Sequence, residues 1–209
     1  MEICNIFSVF FVYLEFLLMA LKTNVYISDV TNLTEARYYA GMGVSIIGFN
    51  ATYGAASFAS PQQFDAITSW LSGIQTSWQW HSAPSEELTA LISSSPSDFI
   101  EICNVPLPNQ WQFLTKPVLI RTSSLEELEI IASLPPNTVS GIVWEGEPSL
   151  LTPLSSDLLQ FIQTKPPFDQ LDSILDQYKG ISLNGIPESR PGWNDFDQLA
   201  DLLESLETI

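Results

Sequence analysis

Three side chains in this sequence could do acid–base or charge chemistry at one site: Glu145, His81 and Arg121. Each falls at the carboxyl end of an expected strand. Glu145 closes VSGIVWE (139–145), His81 closes TSWQWH (76–81) and Arg121 closes PVLIR (117–121). A carboxyl group can act as an acid, an imidazole as a base, and a guanidinium can hold an anion. Ser28, Asp29, Asn50, Cys103 and Asn184 fall at strand ends by the same reading. Plainer roles stand beside these. His81 next to Trp80 can simply end a strand, Cys103 after Ile102 suits a core, and Arg121 can pair with Glu101 or Glu145. His81 is the single histidine, and neither Cys4 nor Cys103 lies in a CxxC or Cys/His cluster, so no metal site is expected.

These strand ends can meet only if the strands run parallel, and the chain reads that way. VYIS (25–28) is a short β-branched and aromatic run, followed by turn residues DVTN. Leu33, Ala36 and Ala40 form a helix stripe that Gly41 and Gly43 close, and Val44–Phe49 is an apolar run of strand length. That is a βαβ unit, the repeating piece of an α/β fold. Pro61 after Ser60 opens a helix with Phe64, Ile67 and Leu71 inside. Further helices are expected after Ser85, after Ser123 or Ser124, over 154–164, around Leu171–Tyr178, and from Phe196 to Leu206. Further strands are expected at 99–103 and 181–183, and the Pro- and Asn-rich stretch 104–115 has room for one irregular turn of helix.

Strand and helix alternate with no linker, which suits one α/β domain, a single (β/α)₈ TIM barrel over residues 19–209. Its seventh strand is expected to be shortened or irregular. Only KPPF (165–168) is available there, and consecutive prolines make poor strand material.

Seven Lys and Arg stand against 24 Asp and Glu, a net charge of −17. Nucleic-acid binding needs a basic footprint, and the sequence has none. The acidic surplus opposes electrostatic capture of a phosphorylated metabolite and suits a solvated surface. Two distant cysteines form no disulfide framework, so reduced thiols and a cytoplasmic location are expected. Residues 1–18 are a separate apolar N-terminal extension, interrupted by Glu15 and lacking a basic n-region. They read as an upstream start ahead of a true initiator at Met19. A membrane tether is the alternative, and a membrane partner is expected only in that case.

Residues 24–61 resemble the phosphoribosylanthranilate isomerases, barrel enzymes of tryptophan biosynthesis. The match runs through Thr31-Asn32-Leu33, Glu35-Ala36-Arg37, Gly41, Gly43, Ile47-Gly48-Phe49 and Ser60-Pro61. GISLNGIPESRPGWND (180–195) looks like the family's closing segment. The resemblance implies an Amadori rearrangement of a phosphorylated small molecule without a cofactor. A carboxylic acid protonates the ribose ring oxygen and a cysteine thiolate removes a carbon-bound proton.

Here the acid position falls on Glu145 and the cysteine on Ser28. The arginine that meets the anthranilate part of the substrate falls on Ser57, while Asn50, His81, Arg121, Asn184 and Gly185 are the remaining candidates for substrate binding. A serine hydroxyl is a far weaker base than a thiol of pKa about 8.5. Glutamate in place of aspartate moves the carboxyl group by about one methylene, and errors near ~1 Å can cost ~100-fold. The family's glycine-rich phosphate loops are replaced by Gly146-Glu147-Pro148-Ser149 and KPPF; only Asn184-Gly185-Ile186 keeps its form. Two functions follow as expectations: a degenerate isomerase-like barrel with activity lost or weak that binds a small molecule or protein at its mouth, or a working isomerase with Glu145 as acid and a substituted base. The sequence fixes no oligomeric state.

Overall fold

A computed structural model describes residues 21–81, 84–151, 158–168, 171–186, 188 and 194–208. Eight parallel strands close into a barrel in chain order: β1 Asn24–Ser28, β2 Ile46–Asn50, β3 Gln75–Trp80, β4 Phe99–Cys103, β5 Val118–Thr122, β6 Gly141–Trp144, β7 Leu159–Gln163 and β8 Gly180–Asn184. β8 returns to pair with β1 from Asn24↔Gly180 to Ser28↔Asn184. The expected (β/α)₈ barrel is therefore the observed fold.

Six α-helices surround it among the described residues: α1 Leu33–Gly41, α2 Pro61–Thr68, α3 Glu86–Ser94, α4 Leu125–Ser133, α5 Leu171–Gln177 and α6 Asp197–Ser205. Local chemistry sets their starts. The Asn32 side chain accepts from the Glu35 amide at 2.8 Å and caps α1. Ser60 and Gln63 form a reciprocal capping box at α2, with Pro61 at its first position. Ser124, rather than Ser123, caps α4. The 104–115 crossover holds a single 3₁₀ turn, Trp111–Phe113, as expected.

One stretch differs from expectation. The seventh strand is Leu159–Gln163, within the stretch expected to be a helix over 154–164, and KPPF is the loop that follows it. Residues 154–157 lie outside the described residues. β7 has full contact with β6, from Gly141↔Leu159 to Trp144↔Ile162, but meets β8 at Ile162↔Ile181 and Gln163↔Ser182 alone. The extension 1–18 and Met19 also lie outside the described residues. Among those described, no helix is long and apolar enough to cross a membrane.

The core has two parts. Outward strand faces and helices form the larger one, with Phe49, Phe64 and Trp78 packed ring against ring. Inside the barrel, Tyr26, Ile46, Phe99, Leu119, Val143 and Phe161 fill the lower half. Gly48 makes that filling possible, because a Cβ there would run into the Tyr26 hydroxyl. Above this apolar floor the inward positions turn polar, and the site begins.

Candidate functional site at the barrel mouth

Inward residues at the strand carboxyl ends form a hydrogen-bonded chain around the mouth, with Arg121 at its centre. From β5, Arg121 donates through Nε to Glu101 Oε1 at 2.7 Å and through Nη2 to Glu101 Oε2 at 3.2 Å. Its Nη1 donates to Glu145 Oε1 and to Gln163 Oε1, both at 3.0 Å. Gln79 on β3 donates to Glu101 Oε1 at 3.1 Å and accepts from the Asp29 amide at 2.9 Å. On the other side, Gln163 on β7 donates to Asn184 Oδ1 at 3.0 Å. Asn184 Oδ1 also accepts from the Ser28 hydroxyl at 3.0 Å.

The central pair is deeply buried, Glu101 at 0% and Arg121 at 8% exposure, whereas the Glu145 side chain is 45% exposed. Burial by itself would lower the Arg121 pKa, but the adjacent Glu101 carboxylate more than offsets this and raises it. Burial, then Glu101, pushes the Tyr26 phenol up beneath the pair. At the end of β4, burial followed by Glu101 pushes the Cys103 thiol up to about 11, away from thiolate chemistry.

A second cluster surrounds Asp29. Its Oδ1 accepts from Asn50 Nδ2 at 3.0 Å and from the Ser57 hydroxyl at 2.5 Å, and Asn50 also reaches Ser57 at 3.2 Å. Asp29 has φ 59°, in the left-handed region that favours glycine. Below it, the Gly185 amide donates to the Ser28 carbonyl at 2.6 Å.

The expected residues thus meet, with one exception. Ser28, Arg121, Glu145 and Asn184 share one network, Asn50 and Ser57 share the Asp29 cluster, and Gly185 lies against Ser28. His81 is exposed one residue beyond β3; its amide donates to Thr52 Oγ1 at 3.0 Å, and its imidazole stays outside the network. The reading of Arg121 as a structural partner of Glu101 or Glu145 holds for both. Gln79 and Gln163 were not foreseen. Gln79 could have been found from strand parity, since Trp78 and Trp80 alternate with it and must face outward.

Chemically, these groups satisfy one another. The Ser28 hydroxyl is a donor to Asn184 Oδ1 and to the Leu183 carbonyl at 3.3 Å, and among the described residues no basic group takes its proton. Arg121 directs four of its five N–H donors at side chains of the barrel. Anion-binding amides are also engaged: Gly185 as above, Ile186 on Glu35 Oε1 at 2.7 Å and Thr164 on the Ser182 carbonyl at 2.8 Å. After Thr164 come Lys165, then Pro166 and Pro167, which have no N–H to offer.

Open space lies to one side. A cavity of about 600 Å³ beside β7 and β8 is lined by Thr164, Phe168, Leu183, Asn184, Ile186 and Leu199, with Lys165, Asp195 and Asp197 around it. A smaller cavity of about 320 Å³ lies across the Thr164–Phe168 loop, bordered by Glu145, Gln163 and Lys165. Among the described residues, no group of His, Cys, Asp and Glu is arranged to hold a metal ion.

No protein-family model matches the sequence, and no curated protein matches it. Solved structures do match the fold. Phosphoribosyl anthranilate isomerase from Thermus thermophilus aligns with 88% of this chain and 98% of its own at 17% identity and TM-score 0.71. That of Thermotoga maritima aligns with 88% and 98% at 15% identity and TM-score 0.71. A phosphoribosyl anthranilate isomerase in complex with reduced 1-(o-carboxyphenylamino)-1-deoxyribulose 5-phosphate aligns with 87% and 97% at 13% identity and TM-score 0.68. Likeness at these identities establishes a common barrel fold and leaves chemistry to the site residues.

Proposed function

We propose that this chain is a degenerate phosphoribosylanthranilate isomerase-like barrel. It has lost the isomerase reaction or retains it only weakly, and it keeps small-molecule binding in the cavity beside β7 and β8. The observation that carries this reading is the mouth network centred on Arg121, in which the positions expected to act on substrate are hydrogen-bonded to one another. A substrate carrying a phosphate and a carboxylate would meet Asp29 and Glu145, with Arg121 already paired to the buried Glu101. The base position holds Ser28, whose proton is directed at two protein oxygens rather than at a base.

The test is complementation of a tryptophan auxotroph that lacks the isomerase. Absence of growth at normal expression is the expected outcome, and growth would overturn the proposal. One observation favours the second reading, an active enzyme with Glu145 as acid. Glu145 is half-exposed and borders the smaller cavity, so it could reach a bound ring oxygen. In that case Glu145→Gln would abolish the growth. A cytoplasmic location and a barrel domain over 19–209 preceded by a separate segment 1–18 belong to the same proposal. N-terminal sequencing of the native protein tests the latter: a mature start at Met1 counts against an initiator at Met19.

A further inference from the structure

Glu35 is a fully buried carboxyl group with no cation beside it among the described residues. It sits third in α1, and its two oxygens serve different segments. Oε2 accepts from the Thr31 amide at 2.9 Å and the Thr31 hydroxyl at 3.1 Å. Oε1 accepts from the Tyr39 hydroxyl at 3.0 Å and from the Ile186 amide at 2.7 Å, across 151 residues of sequence. The loop after β8 is thereby held against the loop after β1. The approach is close, for a Cβ on Gly185 would collide with Glu35 Oε1. Ile186 in turn lines the larger cavity, and its carbonyl accepts from Asn194 Nδ2 at 2.6 Å.

We propose that Glu35 is a positioning residue whose ionised carboxylate clamps the β8 loop at the edge of the cavity, and that its protonation loosens this clamp. A hydrogen bond to a carboxylate is about twice as strong as one to a neutral acceptor, so adding the proton weakens the Ile186 bond. The Thr31 and Tyr39 hydroxyls can turn and accept the new O–H, but the Thr31 and Ile186 amides cannot. The Ile186 amide loses its short carboxylate bond and keeps the longer one to the Tyr39 hydroxyl at 3.3 Å, so the β8 loop is held less tightly. The group titrates in a reachable range because burial raises its pKa above the ordinary value of 4.5, although the bonds from Thr31, Tyr39 and Ile186 pull the other way.

Among the described residues, the surrounding ionisable groups are few. Tyr39 faces Glu35 from its own helix. In the β1 loop, the Asp29 carboxylate is turned to Asn50 and Ser57, and Asp195 and Asp197 lie where the chain enters α6. A folded-state pKa above the unfolded one means that this group's contribution to global stability is full at low pH and is lost as pH rises through the folded value. Acidification therefore loosens the loop while the same group favours the folded state. A purely structural contact would not show that opposition.

The experiment follows the Ile186 amide of the full chain by two-dimensional NMR from about pH 7.5 to about pH 4. A titration with midpoint above 4.5 is expected, absent in Glu35→Gln and shifted to higher pH in Tyr39→Phe, which removes a bond that favours the carboxylate. A pH-independent Ile186 amide, a titration that survives in Glu35→Gln, or a midpoint that Tyr39→Phe leaves unmoved or lowers would overturn the proposal. The wild-type and Tyr39→Phe comparison decides the matter even where Glu35→Gln does not fold. The readout needs neither ligand nor turnover, so it stands apart from the proposed function.

Discussion

Arg121 decides the character of the mouth. A buried guanidinium is tolerable only because Glu101 takes two of its five N–H donors and Glu145 and Gln163 take one each. Removing one member of such a pair leaves the other charge buried and uncompensated. Arg121→Met is expected to destabilise the fold by roughly 3–5 kcal/mol, measured by urea denaturation. The double variant Glu101→Leu/Arg121→Met removes both charges and should lose less than the single one. If the single variant stays within about 1 kcal/mol of wild type, Arg121 does not hold the mouth together. Its pairing was readable from strand ends, because β4 and β5 are neighbours and Glu101 and Arg121 both face inward. What strand ends could not reveal is that Gln79 and Gln163 carry the pair's bonds onward to Asp29 and Asn184, since that depends on which long side chains converge on the barrel axis.

At the scale of elements, the βα starts repeat one device. Glu35 in α1 reaches the Ile186 amide beyond β8, and Glu127 in α4 accepts from the Val105 amide beyond β4 at 2.9 Å as well as from the Thr122 hydroxyl. Each is the third residue of its helix, is tied to its capping residue through its amide, and joins two adjacent loops. The Ser60 and Ser124 caps were legible because Ser before an apolar stripe is a local signal, whereas Asn32 was read only as part of a turn. β7 was not, because Leu158-Leu159-Gln160-Phe161-Ile162 is a short apolar run that periodicity alone cannot assign to strand or helix. Misplacing it hid Gln163 and made KPPF look like a damaged strand rather than a loop. Packing within strands gives a sharper test. Gly48→Ala pushes a methyl into the Tyr26 ring and should cost about 1–3 kcal/mol, the usual range for overpacking. Tyr26→Phe removes the atom met first, so the same change should cost less in that background. A thermal-denaturation double-mutant cycle with no coupling between the two sites would refute this account of the floor.

For the molecule as a whole, charge is the dominant fact. Twenty-four acidic residues face seven basic ones, and of the seven Arg121 is buried while the half-buried Lys116 is held by backbone carbonyls. Arg121 forms both ion pairs found among the described residues, and Lys116 donates to the Ser95 and Ser97 carbonyls at 2.5 and 2.6 Å. Surface attraction therefore offers little for salt to screen away, while repulsion among carboxylates offers much. The buried pair is shielded from ions, since screening acts chiefly on exposed charges over a Debye length of about 10 Å at 0.1 M. Raising sodium chloride from about 10 mM to about 300 mM at neutral pH should then raise Tm, by several degrees if about 1–2 kcal/mol of repulsion is relieved. Scanning calorimetry checks the sign. A Tm that falls with salt would mean that exposed ion pairs, not self-repulsion, govern the surface. The same field bears on function, because a barrel that repels anions at long range and has already paired the arginine at its mouth is poorly built to gather a phosphorylated, carboxylated substrate. A fold shared with isomerases can persist under those conditions, since the apolar floor, the helix caps and the internal Glu101–Arg121 pair maintain it without an anion at the mouth.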